Sequence, residues 1–110
     1  MNMTNMKWNS PEKQKLIQAV LSLRTEGEAE NFLRDLLTES EIEEFTKRLQ
    51  TAELLSKGVH YSAIEEKTGF SSTTVARVSR WLKSGKGGYR DVLEKLHHSS
   101  RRNQTRRVLS

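Results

Sequence analysis

The 110-residue chain carries a formal net charge of +5, is 34% hydrophobic and contains no cysteine. It is long enough for one domain at most, cannot form a disulfide framework or a thiolate metal site, and is too polar to bury a large core as a monomer. No segment resembles a signal peptide or a membrane span, so we expect a soluble cytoplasmic protein outside the membrane. Because a single chain this polar would bury only a small core, we also expect it to pair with a second copy of itself.

The beginning of the chain predicts a flexible segment followed by a helix. Residues 1–9 show no periodicity, and we expect them to be flexible. Ser10 can cap a helix, and Pro11 suits the first helical position because its missing N–H is not needed there. Apolar residues then recur at helical spacing to about Leu23.

Two capping-box patterns predict the next two helices. Thr25 with Glu28, and Thr38 with Glu41, place an acid three residues after a threonine, so that side chain and backbone can bond reciprocally. The first pattern begins a short helix. The second begins the longest helix, which we expect to end near Gly58.

The stretch from Tyr61 to Trp81 predicts two short helices joined by a tight turn. Gly69 ends the first helix, because glycine adopts a left-handed conformation at no steric cost. His60 or Ser62 could cap the first helix, and Ser71 or Ser72 the second. The apolar stripe of the second helix comprises Val75, Val78 and Leu82.

A sixth helix is predicted after a glycine-rich turn. The turn covers residues 84–88, and the helix places Tyr89, Val92 and Leu96 on one face. Residues 98–110 are polar and basic without a period, which predicts a disordered basic tail. The expected fold is therefore all-α with six helices.

The second helix of the pair has a polar face suited to nucleic acid. Short side chains stand at its beginning and cations further along: Ser72, Thr73, Ala76, Arg77 and Arg80. Small residues allow close approach to bases, and cations attract the flanking phosphates. The spacing around the glycine matches the helix-turn-helix motif, apart from Glu65, where most such motifs hold a small residue.

Charge is unevenly distributed along the sequence. Eight acids and one base lie between residues 26 and 44, whereas ten bases and two acids follow residue 70. A basic half that coincides with the predicted recognition helix favours a surface turned towards a polyanion.

The wider sequence resembles the Trp repressor family. The resemblance covers about residues 10–97 and is carried by LLTESEIEEFTKRLQTAELLSKG and RVSRWLKSGKGGYRDVLEKL, the second of which is similar to its TrpR-like YerC/YecD subgroup. It implies a helix-turn-helix domain over 10–97 that forms an intertwined homodimer and regulates transcription at a pseudo-palindromic operator in double-stranded DNA. Blocking the polymerase there would make the protein a repressor, and the sign of regulation stays open. The predicted DNA-binding residues are Ser62, Ser71, Ser72, Thr73, Thr74, Ala76, Arg77, Arg80 and Lys83.

The same resemblance bears on a small effector. Thr38, Arg48 and Arg77 stand at positions similar to those that line the corepressor pocket of the tryptophan-responsive member. Val78 and Trp81 stand where that member has glycine and serine, and they add bulk to the pocket. We therefore expect no response to tryptophan and no cofactor. Another effector stays open.

Enzymatic interpretations lack the necessary residues. His97 and His98 are adjacent and lack the spacing of a zinc clamp, and no nucleophile or histidine accompanies the glutamates near residue 41. We therefore expect neither an enzyme nor a metal site. Two alternatives to specific DNA binding remain: a protein-interaction module that uses the acidic helices, and a non-specific binder of RNA or other polyanions that uses the basic C-terminal half.

Overall fold

The computed structural model describes residues 6–109, with side chains described as far as Ser99. This part of the chain contains six helices and no strand, which confirms the all-α prediction. The helices are α1 (Pro11–Leu21), α2 (Glu26–Leu36), α3 (Glu39–Ser56), α4 (Tyr61–Thr68), α5 (Ser72–Ser84) and α6 (Gly88–Leu109). None of the helices in the described range is both long and apolar enough to cross a membrane.

The chain forms two compact units, Met1–Thr46 and Lys47–Ser110. In the first unit, side chains cap the helix starts as the sequence predicts. The Ser10 hydroxyl accepts a hydrogen bond from the Lys13 N–H, and Pro11 occupies the first position of α1. These contacts satisfy backbone donors that a helix start would otherwise leave without a partner.

Both predicted capping boxes are confirmed. The Thr25 hydroxyl accepts from the Glu28 N–H at 3.1 Å, and the Glu28 carboxylate accepts from the Thr25 N–H at 3.2 Å. The Thr38 hydroxyl likewise accepts from the Glu41 N–H at 3.1 Å, and the Glu41 carboxylate accepts from the Thr38 N–H at 2.9 Å. Each box satisfies two backbone donors and thereby fixes where its helix begins.

Neither α1 nor α2 buries a residue within the chain. Most of their large apolar side chains are instead exposed, namely Leu16, Val20, Leu21, Leu33 and Leu36. The local signals in the sequence therefore form these helices without giving them a core of their own.

The second unit contains the buried core of the described chain. Its fully or nearly buried apolar side chains are Ala52, Ile64, Val75, Val78 and Leu82. α5 packs against both α4 and α6. Because α5 provides three of the five side chains, it is held on one face by this core.

The structure differs from the sequence predictions at three places. α1 ends at Leu21 rather than Leu23. His60 is the N-cap of α4 but forms no side-chain capping bond, and Ser62 lies inside the helix. The backbone from residue 98 to Leu109, predicted to be disordered, continues α6. That segment contains neither glycine nor proline, so nothing in it breaks a helix.

Residues 6–9 have no regular secondary structure. The rest of the predicted flexible N-terminus, residues 1–5, lies outside the described residues, as does Ser110.

Candidate nucleic-acid interface

The turn between α4 and α5 positions the candidate interface. α4 ends at Gly69, which has the left-handed φ of +78° that the sequence predicts. The Gly69 N–H donates a hydrogen bond to the Glu65 carbonyl at 2.8 Å. Glu65, which stands where many such motifs have a small residue, is partly buried. A residue in the left-handed conformation changes the direction of the backbone sharply at the end of a helix, so the next helix, α5, can already begin at Ser72.

Ser71, rather than Ser72, caps α5. Its hydroxyl accepts from the Thr74 N–H at 3.2 Å, and its Oγ lies 3.1 Å from Thr74 Oγ1 in a second hydrogen bond. Two of the predicted DNA-binding hydroxyls are thus engaged with each other. Their role in the structure is to hold the beginning of the helix.

The hydroxyls of Ser72 and Thr73 are available instead. Both residues are exposed, and within the described part of the chain neither side chain makes a hydrogen bond. They lie in the first turn of α5, beside the capped end. A hydroxyl can donate or accept, so both can meet either kind of group on a base edge.

α5 has one buried face and one exposed face. Val75, Val78, Ser79 and Leu82 are buried. Six residues that the sequence assigns to DNA are exposed on α5: Ser72, Thr73, Ala76, Arg77, Arg80 and Lys83. The helix therefore presents its hydroxyls, one small apolar residue and its cations on the surface while the opposite side fills the core.

The cations continue beyond the first turns of α5. Arg77, Arg80 and Lys83 recur every third residue and are all exposed. Exposed bases also occur after the helix, at Lys86 and Arg90. Such a surface attracts phosphate groups from solution. Ser62, the remaining predicted contact, is exposed in the first turn of α4.

The residues predicted to line an effector pocket lie in different environments in the structure. Thr38 belongs to the first unit and caps α3. Val78 belongs to the core of the second unit and is 4% exposed. Trp81 is partly buried, and its ring lies close to Gly85, where an added Cβ would stand 3.2 Å from a ring carbon. Arg77 is exposed on α5.

Arg48, the fifth of these residues, acts on the phenol of Tyr89. Burial raises the pKa of Tyr89 above its usual value, and the positive charge of Arg48 partly offsets this by favouring the phenolate. The sequence treats Tyr89 only as an apolar residue of α6. No local pattern indicates its proximity to an arginine of α3.

In the described residues, no group of three or more His, Asp or Glu side chains is placed to hold a metal ion. The polar groups on the exposed face of α5 are hydroxyls and guanidinium or ammonium groups. These are groups that bind bases and phosphates.

Comparison with known proteins places this arrangement in a family. The model of the Trp repressor protein family matches residues 12–97. An uncharacterized protein, YerC, from Bacillus subtilis (strain 168) is 36% identical over 90 residues, which cover 82% of this chain and 86% of that protein.

Two solved structures share the fold. A TrpR-like protein from Eubacterium eligens ATCC 27750 superposes with a TM-score of 0.77 at 38% identity, over 81% of this chain and 92% of that one. A candidate Trp repressor from Staphylococcus aureus gives 0.79 at 32% identity, over 87% and 96%.

The fold is thus the all-α Trp-repressor-like fold, and the resemblance seen in the sequence is confirmed. The chain belongs to the Trp repressor family, a family of DNA-binding transcription regulators, and within it to the TrpR-like YerC subgroup.

Proposed function

We propose that this protein is a transcriptional repressor that binds a pseudo-palindromic operator in double-stranded DNA as a homodimer and does not respond to tryptophan. The observation that carries the proposal is the division of α5 into a buried apolar face and an exposed face of hydroxyls and cations. In this proposal α4 and α5 form a helix-turn-helix, and α5 enters the major groove.

The beginning of α5 reads the bases. Ser72 and Thr73 have exposed hydroxyls without partners in the described chain, and these can bond to base edges. Ala76 lies one turn further along the same exposed face and can contact a thymine methyl group. Ser71 and Thr74 contribute by holding the first turn in place.

The cations of α5 bind the DNA backbone. Arg77, Arg80 and Lys83 are exposed on successive turns of the helix. Phosphate contacts of this kind supply affinity and register but little sequence information. They also make binding depend on salt, because each neutralised phosphate releases counterions.

The exposed apolar side chains of α1 and α2 support the homodimer. Val20 and Leu36 are at least half exposed in the single chain, and neither helix buries a residue. A second copy that covers these faces removes them from water. Two copies related by a two-fold axis can then present their α5 helices about 34 Å apart, one turn of DNA.

The absence of a tryptophan response is supported by Val78 and Trp81. Val78 belongs to the buried core, and Trp81, a residue of α5 itself, already provides a partly buried indole. A free indole would therefore compete with two side chains of the protein. Calorimetric titration with L-tryptophan tests this point, and binding at micromolar concentration would contradict it.

Selection of bound duplexes from a random-sequence library tests the proposed function as a whole. We expect a consensus with two-fold symmetry and half-sites one helical turn apart. Gel shifts with that duplex, a single strand and an unrelated acidic competitor then separate specific DNA binding from general polyanion binding. Failure to enrich any sequence would exclude the proposal.

A further inference from the structure

The turn between α4 and α5 contains a buried hydroxyl that is not among the proposed DNA contacts. Thr68, the last residue of α4, is 4% exposed. Its Oγ1 donates a hydrogen bond to the Ile64 carbonyl at 2.8 Å and accepts one from the Phe70 N–H at 3.1 Å. One side chain therefore joins the last turn of α4 to the segment that leads into α5.

The Phe70 amide needs this acceptor because α4 has already ended. The backbone bond from Gly69 to the Glu65 carbonyl closes the helix, and Phe70 follows one residue later in a partly buried position. A buried amide without an acceptor is unfavourable. The next residue, Ser71, is the cap of α5, so the bond to Thr68 lies immediately before the beginning of that helix.

We propose that Thr68 is a positioning residue for sequence recognition: its hydroxyl fixes the direction in which the chain enters α5, and thereby the pose of Ser72 and Thr73. This inference rests on the proposed function. Without the hydroxyl, the Phe70 amide must turn towards water, and the first turn of α5 moves relative to α4.

Such a movement affects the two kinds of DNA contact differently. Hydrogen bonds from short hydroxyl side chains weaken steeply with distance and angle. The long side chains of Arg77, Arg80 and Lys83 can follow a phosphate through a small displacement of the helix. Removal of the Thr68 hydroxyl should therefore reduce discrimination between DNA sequences more than it reduces general DNA affinity.

The test variant is Thr68→Val, which replaces the hydroxyl by a methyl group of similar shape. Thr51→Val is the matched control. Thr51 is also fully buried, and its hydroxyl donates to the Lys47 carbonyl four residues earlier at 2.7 Å, but it accepts no hydrogen bond in the described chain. Thr68→Ser retains the hydroxyl and should restore the wild-type behaviour.

All variants are compared in competition binding with two probes, the consensus duplex selected by the wild-type protein and an unrelated duplex. We expect Thr68→Val to lower the ratio of the two affinities by about fivefold or more, the value of one weak base contact. Thr51→Val and Thr68→Ser should keep that ratio within about twofold of the wild type.

An unchanged ratio in Thr68→Val, or an equal loss in Thr51→Val, would overturn the inference alone. A wild-type protein that selects no consensus would overturn the proposed function and the inference with it. If Thr68→Val does not fold, amide exchange in the wild type decides: the Phe70 amide should be protected, and exchange at the rate of an exposed amide would refute the positioning role.

Discussion

Different interactions stabilise the helices α1 and α2 of the first unit and the α4–α5 pair of the second unit. α1 and α2 have eleven residues each, begin at capping side chains and bury nothing. α4 has only eight residues and no side-chain cap, yet its Ile64 is completely buried. Capping side chains thus determine where a helix begins, whereas tertiary packing determines whether the helix belongs to a buried core.

This difference also separates two kinds of exposed surface. The exposed side chains of α1 and α2 include large apolar groups, which are unfavourable in water. The exposed side chains of α5 are hydroxyls, one alanine and the cations of arginine and lysine. Under the proposed function, the first surface is covered by a second copy of the chain and the second by DNA.

The largest effect is expected in the core of the α4–α5 pair. Ile64→Ala should destabilise the protein by about 2–5 kcal/mol, because it leaves a cavity where the side chain is fully enclosed. Urea denaturation followed by circular dichroism measures this change. A loss below about 1 kcal/mol would mean that α4 does not depend on its core contacts in the way described.

A somewhat smaller effect is expected on α1. Val20 is 50% exposed in the single chain, so Val20→Asp should hardly change the free energy of unfolding if the exposed part of Val20 faces only water. If a second copy covers it, the change should cost about 1.5–3 kcal/mol per chain and shift the protein towards monomer. Analytical ultracentrifugation at micromolar concentration measures the oligomeric state.

Gln18→Asp is the control for that experiment. Gln18 is exposed on the same helix, and the change introduces the same charge. It should leave the oligomeric state unchanged. Equal behaviour of the two variants would argue against a partner that covers the apolar side of α1.

The exposed face of α5 should respond in DNA binding and not in stability. Thr73→Ala should cost about 1–3 kcal/mol of discrimination at one base position. Arg80→Ala should weaken binding to all sequences alike and reduce the salt slope by about one. Binding measured over a range of salt concentrations distinguishes the two. A uniform loss in Thr73→Ala would exclude it from base reading.

The smallest effect is expected at the start of α4. His60 is the N-cap residue but makes no capping bond through its side chain. His60→Asn should stabilise the protein by about 0.5–1 kcal/mol, because asparagine can accept a hydrogen bond from the first turn. Thermal unfolding measures the gain. His60→Ala serves as the control and should not stabilise the protein.

The features that could be predicted from sequence are those with local causes. The bonds of Thr25 to Glu28 follow from their spacing of three residues, and the left-handed turn at Gly69 follows from the lack of a side chain. The division of α5 into two faces follows from its periodicity. The main part of the candidate DNA surface was therefore visible in the sequence.

The features that the sequence does not predict leave no mark in the capping and periodicity patterns. Nothing near Thr68 indicates that its hydroxyl is buried and accepts a hydrogen bond from the Phe70 N–H, because threonine is mostly an exposed residue. The positive charge of Arg48 in α3 acts on the phenol of Tyr89 in α6, and these two residues lie far apart in the sequence. The continuation of α6 to Leu109 was missed because that segment lacks the apolar period on which the helix prediction relied.

The separation of the two faces of α5 has a consequence for how this protein can evolve. Ser72, Thr73 and Ala76 contribute nothing to the buried side of the helix, so they can be replaced while Val75, Val78 and Leu82 continue to hold it. Under the proposed function, a lineage with this scaffold can therefore change its DNA targets by substitutions at a few surface positions, while every intermediate sequence keeps the packing that holds the helix.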